Sequence, residues 1–378
     1  MASPRLPDPA VLVPRWEVMV ARGQLTKGPE LAAFESECAA YLGVKRCVGV
    51  SSCTSGLMLA LQALRRSLPQ SETKPRIAVP SFTFMASVSA MVWAGFEPEF
   101  VEVDEASMNL DLEDLERVLS EGKVVGVLAV HCFGNPVPTD AITALCEKAG
   151  VKLMFDAAHG FGSRVQSRPV GQAGWCQVFS LTPTKMVVAG EGGIIATNDE
   201  ALADEVVMAR EYGNDGAYGS TMPGLNARLS EMHCALGRES LKLLEQIVPD
   251  RNLAASTLEQ ELSGIPGVGF QTITSDCRTT YKDYTVTIDP ELFGCDRNAL
   301  AWALNAEGIP SRLYFSPPCH QHEAYRAYSH RGLPKTERLA ARCLSIPLLK
   351  VETARPIAEA FARIQANAAS VAKAYQER

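Results

Sequence analysis

The chain has 378 residues, 47% of them hydrophobic, so it is long enough for two domains and apolar enough to build an ordinary core. Its 36 basic and 43 acidic residues give a net charge of −7, which argues against nucleic acid as a partner. No apolar run reaches membrane-spanning length, no secretory signal pattern is seen, and 11 irregularly spaced cysteines favour a reducing cytoplasm over secretion.

Short apolar strands alternate with amphipathic helices along the first 160 residues. Pro29–Leu42 has helical periodicity and stops at Gly43, a typical glycine cap. The next predicted elements are a strand at 47–50, a helix from 54, a strand at 77–79, a helix from about 84, a strand at 100–103, a helix from 112, a strand at 124–130, a helix from 140 and a strand at 152–155. This alternation predicts an α/β fold with a mainly parallel sheet, whose ligands bind beyond the carboxyl ends of the strands.

The second half of the chain predicts a further strand and then a smaller domain. A strand at 194–196 precedes a long helix over 227–247, which we expect to end at Pro249. Beyond that point the predicted elements are strands at 285–288 and 311–314 and helices at 297–307, 336–344 and 353–376. The sequence therefore predicts an N-terminal arm (1–26), a large domain (27–248) and a small C-terminal α+β domain (249–378).

Residues 51–56, Ser-Ser-Cys-Thr-Ser-Gly, follow one strand and open a helix. Backbone amides and hydroxyls gather there at the positive end of a helix dipole, which predicts an anion site. Simple N-capping by Ser52 or Thr54 would account for the same residues. Because neither GxxxxGK[ST] nor GxGxxG spacing is present, a phosphate bound here would belong to a small cofactor.

Three further side chains follow strands of the predicted sheet. Asp156 ends an apolar strand, where a carboxylate stays ionised only beside a cation or several donors; a protonated pyridine ring would serve, but so would a role in capping the next turn. His159 alone is typical of a structural imidazole. The ring of Phe84 suits stacking on an aromatic cofactor, although core packing is the commoner fate of a phenylalanine.

Lys185 is the most informative residue of the chain. It ends the run Phe-Ser-Leu-Thr-Pro-Thr-Lys at 179–185, five residues after Ser180, and is followed by Gly-Glu-Gly-Gly at 190–193. An amine set between a hydroxyl and a glycine turn suits Schiff-base formation beside a bound phosphate. An ordinary surface lysine before a turn would look the same in isolation. Asn226 and Arg228, ahead of the long helix, fit a cap and a surface charge equally well.

These residues together are far more specific than any one alone. In order and approximate spacing they match the aminotransferases that use pyridoxal phosphate on nucleotide-linked keto sugars, and the chain resembles the DegT/DnrJ/EryC1/StrS family over nearly its whole length. The matching residues are Thr54, Phe84, Asp156, His159, Ser180 and Lys185. Further similar segments lie at 23–29, 79–84, 156–159 and 190–193, and residues 314–320 resemble the family's aromatic-proline-histidine segment.

The resemblance implies a fold-type-I pyridoxal-phosphate aminotransferase with a seven-stranded sheet, acting as a homodimer whose active sites lie at the subunit interface. Lys185 would hold the cofactor as a Schiff base and Asp156 would pair with its ring nitrogen. Phe84 would stack on the ring, and His159 would lie near the opposite face or the phenolic oxygen.

The resemblance also implies how phosphate and substrate are bound. Ser180 and the amides of Cys53 and Thr54 would hold the phosphate, with Asn226 coming from the other subunit. Relatives often have Asn-Gly-Thr or Ser-Gly-Thr where this chain has Ser-Cys-Thr at 52–54, so Thr54 alone matches firmly there. In the small domain, Tyr314 and His320 would contact the substrate.

The implied reaction transfers an amino group from an amino acid, with L-glutamate expected, to a nucleotide-linked keto sugar, for which a 4-keto-6-deoxyhexose is preferred. Lys185 would act as the general base of a ping-pong cycle. Two alternatives remain: an aminotransferase acting on a keto-inositol, and a non-catalytic regulatory protein of the same fold. The presence of Lys185 and Asp156 disfavours the latter.

A metal enzyme is a third alternative. Cys319, His320 and His322 cluster in the sequence, and His131 and Cys132 add two possible ligands. The paired spacings that mark zinc sites are absent, so the sequence predicts no metal.

Overall fold

The computed structural model describes residues 4–69, 73–348 and 350–378. The α-helices in these ranges are α1 Pro9–Arg22, α2 Pro29–Leu42, α3 Cys53–Ser67, α4 Met85–Trp93, α5 Leu112–Ser120, α6 Thr139–Ala149, α7 Glu200–Ala209, α8 Glu231–Lys242, α9 Leu244–Leu262, α10 Pro290–Phe293, α11 Arg297–Ala306, α12 Pro334–Arg342, α13 Ala354–Ala366 and α14 Ala368–Gln376. The strands are β1 Arg46–Val50, β2 Arg76–Pro80, β3 Glu97–Val101, β4 Val124–Val130, β5 Lys152–Asp156, β6 Arg164–Val165, β7 Arg168–Pro169, β8 Cys176–Ser180, β9 Gly193–Thr197, β10 Val268–Phe270, β11 Cys277–Arg278, β12 Tyr284–Ile288 and β13 Cys343–Ile346.

A seven-stranded sheet forms the centre of the large domain, as predicted. Its order is β1-β9-β8-β5-β4-β2-β3, and every strand runs parallel to the others except β9. Strand β9 is antiparallel because it returns directly from β8 through the loop 181–192. Helices α3, α4, α5 and α6 lie between consecutive strands from β1 to β5, whereas residues 157–175, with the short strands β6 and β7, connect β5 to β8. Helices cover both faces, so β4, Val-Val-Gly-Val-Leu-Ala-Val, is almost entirely buried and needs no polar alternation.

Most predicted elements of the large domain are confirmed. Helix α2 and strand β4 have the predicted bounds, and Gly43 ends α2 in the left-handed conformation with φ of 67°. Strand β3 lies at 97–101 rather than 100–103, because the chain turns away after Val101 to bring Val103 into a bridge with Leu110. The first and last residues of this strand therefore depend on tertiary pairing as well as on the local sequence pattern.

The predicted helix over 227–247 is wrong at both ends. Helix α8 begins at Glu231, where the Ser230 side chain caps the first turn, and α9 then runs through Pro249 to Leu262. A proline inside a helix costs about 3 kcal/mol. Burial of Leu244 and Val248 before it, and of several residues after it, keeps α9 intact across the expected domain boundary. The boundary at 248 stays a prediction, and it falls inside this helix.

Three small-domain predictions also need correction. Residues 311–314 form no strand; Arg312 makes a single bridge to Ser345, and prolines at 310, 317 and 318 interrupt pairing. The expected helix at 336–344 ends at Arg342 because the next residues pair with β12 as β13. The expected helix at 353–376 is divided into α13 and α14 at Asn367.

The small domain has its own core and a second contact with the large domain. The antiparallel sheet β10-β12-β13 packs with side chains of α9, α11 and α13. A separate apolar cluster joins Phe315, Leu339 and Cys343 to Phe82 and Phe133, which follow strands of the large sheet. Within the described residues, no helix combines the length and apolar character that a membrane crossing requires.

Candidate functional site

The residues predicted to act on a cofactor meet at one edge of the large sheet. Strands β1, β8, β5 and β2 are parallel, so the segments after their carboxyl ends lie side by side. Cys53 and Thr54 open α3 after β1, Ser180 ends β8, Asp156 ends β5, and Phe84 immediately precedes α4 after β2. The topology thereby brings together residues as far apart in the chain as Cys53 and Ser180.

Asp156 is buried and held by three donors. The Ser87 hydroxyl donates to Oδ2 at 2.6 Å, the Ala158 amide donates to Oδ1 at 3.0 Å, and the Cys53 thiol lies 3.9 Å from Oδ1. Burial, and then the charge of Asp156, raise the pKa of the Cys53 thiol well above its usual value, so the thiol stays protonated and can donate. Asp156 is therefore hydrogen-bonded away from water, in a position that suits a cationic partner.

Lys185 lies in the loop between β8 and β9. Its amide donates to the carbonyl of Thr182 at 3.0 Å, and the loop is closed by the bond from the Leu181 amide to the Gly192 carbonyl at 3.0 Å. Burial, and then the charge of Lys282, lower the pKa of the Lys185 amine to about 8, while Cys53 and Asp156 act in the opposite direction. A substantial fraction of this amine is neutral near physiological pH, which a nucleophile and base requires.

The first turn of α3 forms the other end of the site. Ser52 caps it, in a reciprocal arrangement with Ser55, so the capping prediction is correct. The amides of Cys53 and Thr54 belong to the turn whose N–H groups have no partner within the helix. A Cβ at Gly193 would lie 2.7 Å from the Cys53 nitrogen, so glycine is needed for this close approach of β9. Ser180, 4% exposed, adds a hydroxyl nearby on β8. These groups together suit an anion.

Three predicted cofactor residues have less enclosed positions. His159 is half-buried, stacks on Phe133 with centroids 6.4 Å apart, and has its pKa lowered by burial and then by the charges of Lys185 and Lys282. Phe84 is 51% exposed, so core packing does not explain it. Asn226 is exposed, with its backbone bridged to Glu211. Their predicted roles stay predictions.

The two predicted substrate residues differ in exposure. Tyr314 is partly exposed and stacks on Phe315 at 5.6 Å. His320 is 4% exposed, with Nδ1 2.7 Å from the Ser81 hydroxyl and Nε2 3.2 Å from Glu337. Both ring nitrogens of His320 thus have partners within the protein. A contact between His320 and substrate stays a prediction.

Lys282 is a site residue that the sequence did not indicate. Its ammonium is buried and lies 2.8 and 2.9 Å from the carboxylate oxygens of Asp283, and its amide donates to the Phe133 carbonyl. The Arg251 guanidinium binds the carbonyls of Thr280 and Tyr281 and fixes this segment. A lysine ahead of a predicted strand looks like a surface residue, and only the tertiary structure brings its charge near Lys185.

A cavity of about 630 Å³ borders Lys185, between the large domain and the loop around Lys350. Across the described ranges, no three histidine, cysteine or acidic side chains group so as to hold a metal ion. The residues of the metal alternative have other partners: His131 accepts from the Val137 amide, and the Cys319 thiol donates to the Thr83 carbonyl. All 11 cysteines lie in the described ranges and are free.

Comparison with known proteins identifies relatives across most of the chain. Residues 13–364 match the model of the DegT/DnrJ/EryC1/StrS aminotransferase family. The dTDP-3-amino-3,4,6-trideoxy-alpha-D-glucose transaminase of Streptomyces venezuelae is 32% identical over 329 residues, covering 86% of this chain and 84% of the relative. The UDP-N-acetyl-3-dehydro-alpha-D-glucosamine 3-aminotransferase of Acidithiobacillus ferrooxidans is 30% identical over 322 residues, covering 85% and 84%.

A solved structure has the same architecture. DesI, crystallised in the presence of its TDP-sugar product, superposes with a TM-score of 0.90 at 31% identity, covering 99% of this chain and 94% of DesI.

Proposed function

The chain belongs to the DegT/DnrJ/EryC1/StrS aminotransferase family and is a pyridoxal-phosphate-dependent aminotransferase; from this premise, we propose that it aminates a nucleotide-linked keto sugar in amino-sugar biosynthesis. We propose L-glutamate as the amino donor. The observation that carries the proposal is an amine of lowered pKa, Lys185, electrostatically coupled to a buried carboxylate, Asp156. That combination suits carbonyl and amine chemistry on an electron-accepting cofactor.

The residues present fit pyridoxal phosphate. Its phosphate needs hydroxyls and free amides, which Ser180 and the first turn of α3 offer, and its basic ring nitrogen needs an anion, which Asp156 offers. Phe84 provides an exposed aromatic face and His159 a neutral imidazole. Cys53 contributes a backbone amide and a protonated thiol, although its contact with the phosphate depends on the amide alone.

The bound cofactor supplies a ring that accepts the electrons left at a substrate carbon when its proton is removed. Lys185 would hold the cofactor until an amino donor takes its place. The free amine would then take the proton from the donor's α-carbon and, in the second half-reaction, return a proton to the sugar carbon. Asp156 would pair with the cofactor's ring nitrogen.

The sugar is proposed from the relatives. The Streptomyces enzyme is named for a dTDP-linked sugar, the Acidithiobacillus enzyme for a UDP-linked sugar, and DesI was crystallised with a TDP-sugar. A nucleotide sugar is therefore the substrate class that we propose. A 4-keto-6-deoxyhexose stays our preferred member. The names of the two sequence relatives include a 3-amino or 3-keto position, so a 3-keto sugar is the appropriate competitor in any assay.

We propose a cytoplasmic homodimer with shared active sites. The free cysteines support a reducing compartment. Asn226 and Tyr212 are exposed beside the site, and Phe84 has half of its surface open. A second copy covering this surface would bury the apolar rings and bring Asn226 to the phosphate of its partner.

A half-reaction screen tests the proposed function. The enzyme is first converted to its pyridoxamine phosphate form with L-glutamate. Nucleotide-linked 4-keto-6-deoxyhexose, the 3-keto sugar and a keto-inositol are then added separately, and the visible absorbance of the Lys185-bound cofactor is followed. We expect nucleotide sugars, the 4-keto sugar first, to restore the absorbance, because only they contain a keto group on a nucleotide-linked ring.

Recovery with the keto-inositol alone would replace our proposal with an aminocyclitol function. A lack of conversion by L-glutamate, combined with conversion by another amino acid, would change the donor and leave the sugar proposal intact. Absence of any half-reaction in the cofactor-loaded protein would favour the regulatory alternative.

A further inference from the structure

Ser87 makes the shortest hydrogen bond to the site carboxylate. Its hydroxyl lies in α4, is fully buried, and donates to Asp156 Oδ2 at 2.6 Å. The other two contacts, from Ala158 and Cys53, are to Oδ1. A hydroxyl donating to a charged acceptor makes a strong hydrogen bond, and no water reaches this one to replace it. Ser87 is therefore the contact that orients Oδ2, the carboxylate oxygen that neither Ala158 nor Cys53 contacts.

A series of hydrogen bonds connects Ser87 to residues 319–320 of the small domain. Because the Ser87 proton goes to Asp156, the Thr83 hydroxyl, 3.1 Å away, must donate to Ser87. The Thr83 carbonyl accepts from the Cys319 thiol at 3.3 Å. Two residues earlier, the Ser81 hydroxyl accepts from the His320 amide at 2.9 Å and pairs with the His320 ring at 2.7 Å.

Every residue in this series of hydrogen bonds is buried. Ser81, Thr83, Ser87, Cys319 and His320 are each at most 4% exposed. Hydrogen bonds in such surroundings strengthen one another, and an unmade one is costly. The segment 81–87 therefore has a fixed position relative to both Asp156 and residues 319–320.

We propose, on the basis of the proposed aminotransferase function, that Ser87 is a positioning residue for Asp156 and that segment 81–87 links its orientation to the small domain. This link gives a structural reason for the buried His320 at the end of residues 314–320, the segment that resembles the family's aromatic-proline-histidine segment. His320 stabilises Ser81 from the small domain, at the start of the same segment that carries Thr83 and Ser87.

The test compares Ser87→Ala, which removes the donor, with Ser87→Cys, which keeps a side chain of similar size but donates weakly. Ser89→Ala is the matched control, since Ser89 lies in the same helix and pairs with the Tyr325 hydroxyl rather than with Asp156. For each purified protein, we would measure the dissociation constant of pyridoxal phosphate, the visible spectrum of the bound cofactor, and the side-chain conformation of Asp156 in a crystal structure without cofactor.

We expect Ser87→Ala to weaken cofactor binding about tenfold, to shift the cofactor spectrum and to turn the Asp156 carboxylate, because one charge-assisted hydrogen bond is lost. Ser87→Cys should fall between Ala and the wild type, and Ser89→Ala should stay within about twofold of the wild type. If Ser87→Ala does not fold, Ser87→Cys alone decides, because it keeps a weak donor at the buried position.

Wild-type affinity, spectrum and Asp156 conformation in the Ser87 variants would overturn the inference while leaving the aminotransferase function in place. Equal losses in Ser89→Ala would also overturn it, because they would indicate a general effect on α4. If borohydride reduction of the wild-type protein with the cofactor attaches nothing to Lys185, the proposed function fails first, and the inference fails with it.

Discussion

Two regions of the site differ in how completely one chain builds them. The floor, which we define as Cys53, Ser87, Asp156 and Ser180, is buried, and Asp156 receives donors from three segments of the same chain. The rim, defined as Phe84, Tyr212 and Asn226, is exposed. The floor is thus complete in the single chain, whereas the rim leaves aromatic and amide groups in water beside it.

The difference separates two physical requirements. A carboxylate removed from water must find its donors within the fold, because an unsatisfied buried charge would prevent folding. Exposed rings and amides carry no such cost, so the rim is free to be completed by a second subunit and by substrate. The floor is therefore specified by contacts within one chain, whereas the rim depends on what covers it.

Lys185→Ala should give the largest effect, a loss of turnover on the order of 10⁴-fold, because both the covalent attachment and the general base are removed. Borohydride reduction followed by peptide mapping checks the assignment. Label on Lys185 in the wild type and none in the variant is the expected result; label on a different lysine would contradict it.

Asp156→Asn should lower kcat about 10²- to 10³-fold while keeping some cofactor, because the amide has nearly the same shape but no charge for the ring nitrogen. Steady-state kinetics and the cofactor content of the purified variant measure this. The matched control is Asp199→Asn, which removes a carboxylate that caps α7 and accepts from the Trp175 ring, and it should keep near-normal turnover. Near-normal turnover of Asp156→Asn would mean that the floor does not act through its charge.

Asn226→Ala should lower activity about tenfold by removing a charge-assisted contact with the phosphate of the partner's cofactor. Mixing this variant with Lys185→Ala under conditions that exchange subunits tests whether the rim is shared. Each mixed dimer would contain one site with both residues intact, so activity should rise above that of either variant. No gain, in a sample shown to contain mixed dimers, would place Asn226 and Lys185 in the same subunit's site.

Lys282→Met should shift a pH profile rather than abolish activity. Free Lys185 attacks the cofactor as a neutral amine, so reconstitution of the protein should speed up as pH rises through its pKa of about 8. Removing the neighbouring positive charge raises that pKa, so the profile should move to higher pH and slow reconstitution at pH 7 a few-fold. Lys282→Arg keeps the charge and should keep the profile. Identical pH profiles for Lys282→Met and Lys282→Arg would contradict an influence of Lys282 on the pKa of Lys185.

Phe84→Leu should give the smallest effect, a loss of about twofold in cofactor affinity, because stacking contributes modestly beyond burial and leucine keeps an apolar contact. Fluorescence titration with pyridoxal phosphate measures it. Trp93→Leu is the control, since that ring is 77% exposed at the far end of the same helix. Equal affinity in Phe84→Leu and wild type would leave the rim with no part in holding the cofactor.

The sequence alone determined the mainly parallel sheet and named the candidate cofactor residues. Strands buried on both faces need unbroken apolar runs and helices need capped amphipathic ones, so β4 and α2 were predicted to the residue. Lys185, Asp156 and Thr54 were named because the chemistry proposed for them depends on residue type and on position after a strand, and their roles stay predictions. These features are local, and a local pattern can specify them.

Only the tertiary structure decided which side chains support that chemistry. The hydrogen bond from Ser87 to Asp156, the charge of Lys282 near Lys185 and the bonds of His320 to Ser81 each join residues that are far apart in the sequence, so no local pattern indicated them. The same reason explains Pro249, where packing on both sides outweighs the local preference to end the helix. Burial and hydrogen-bond partners are properties of the folded chain, and they set the charge and orientation of the groups that the sequence names.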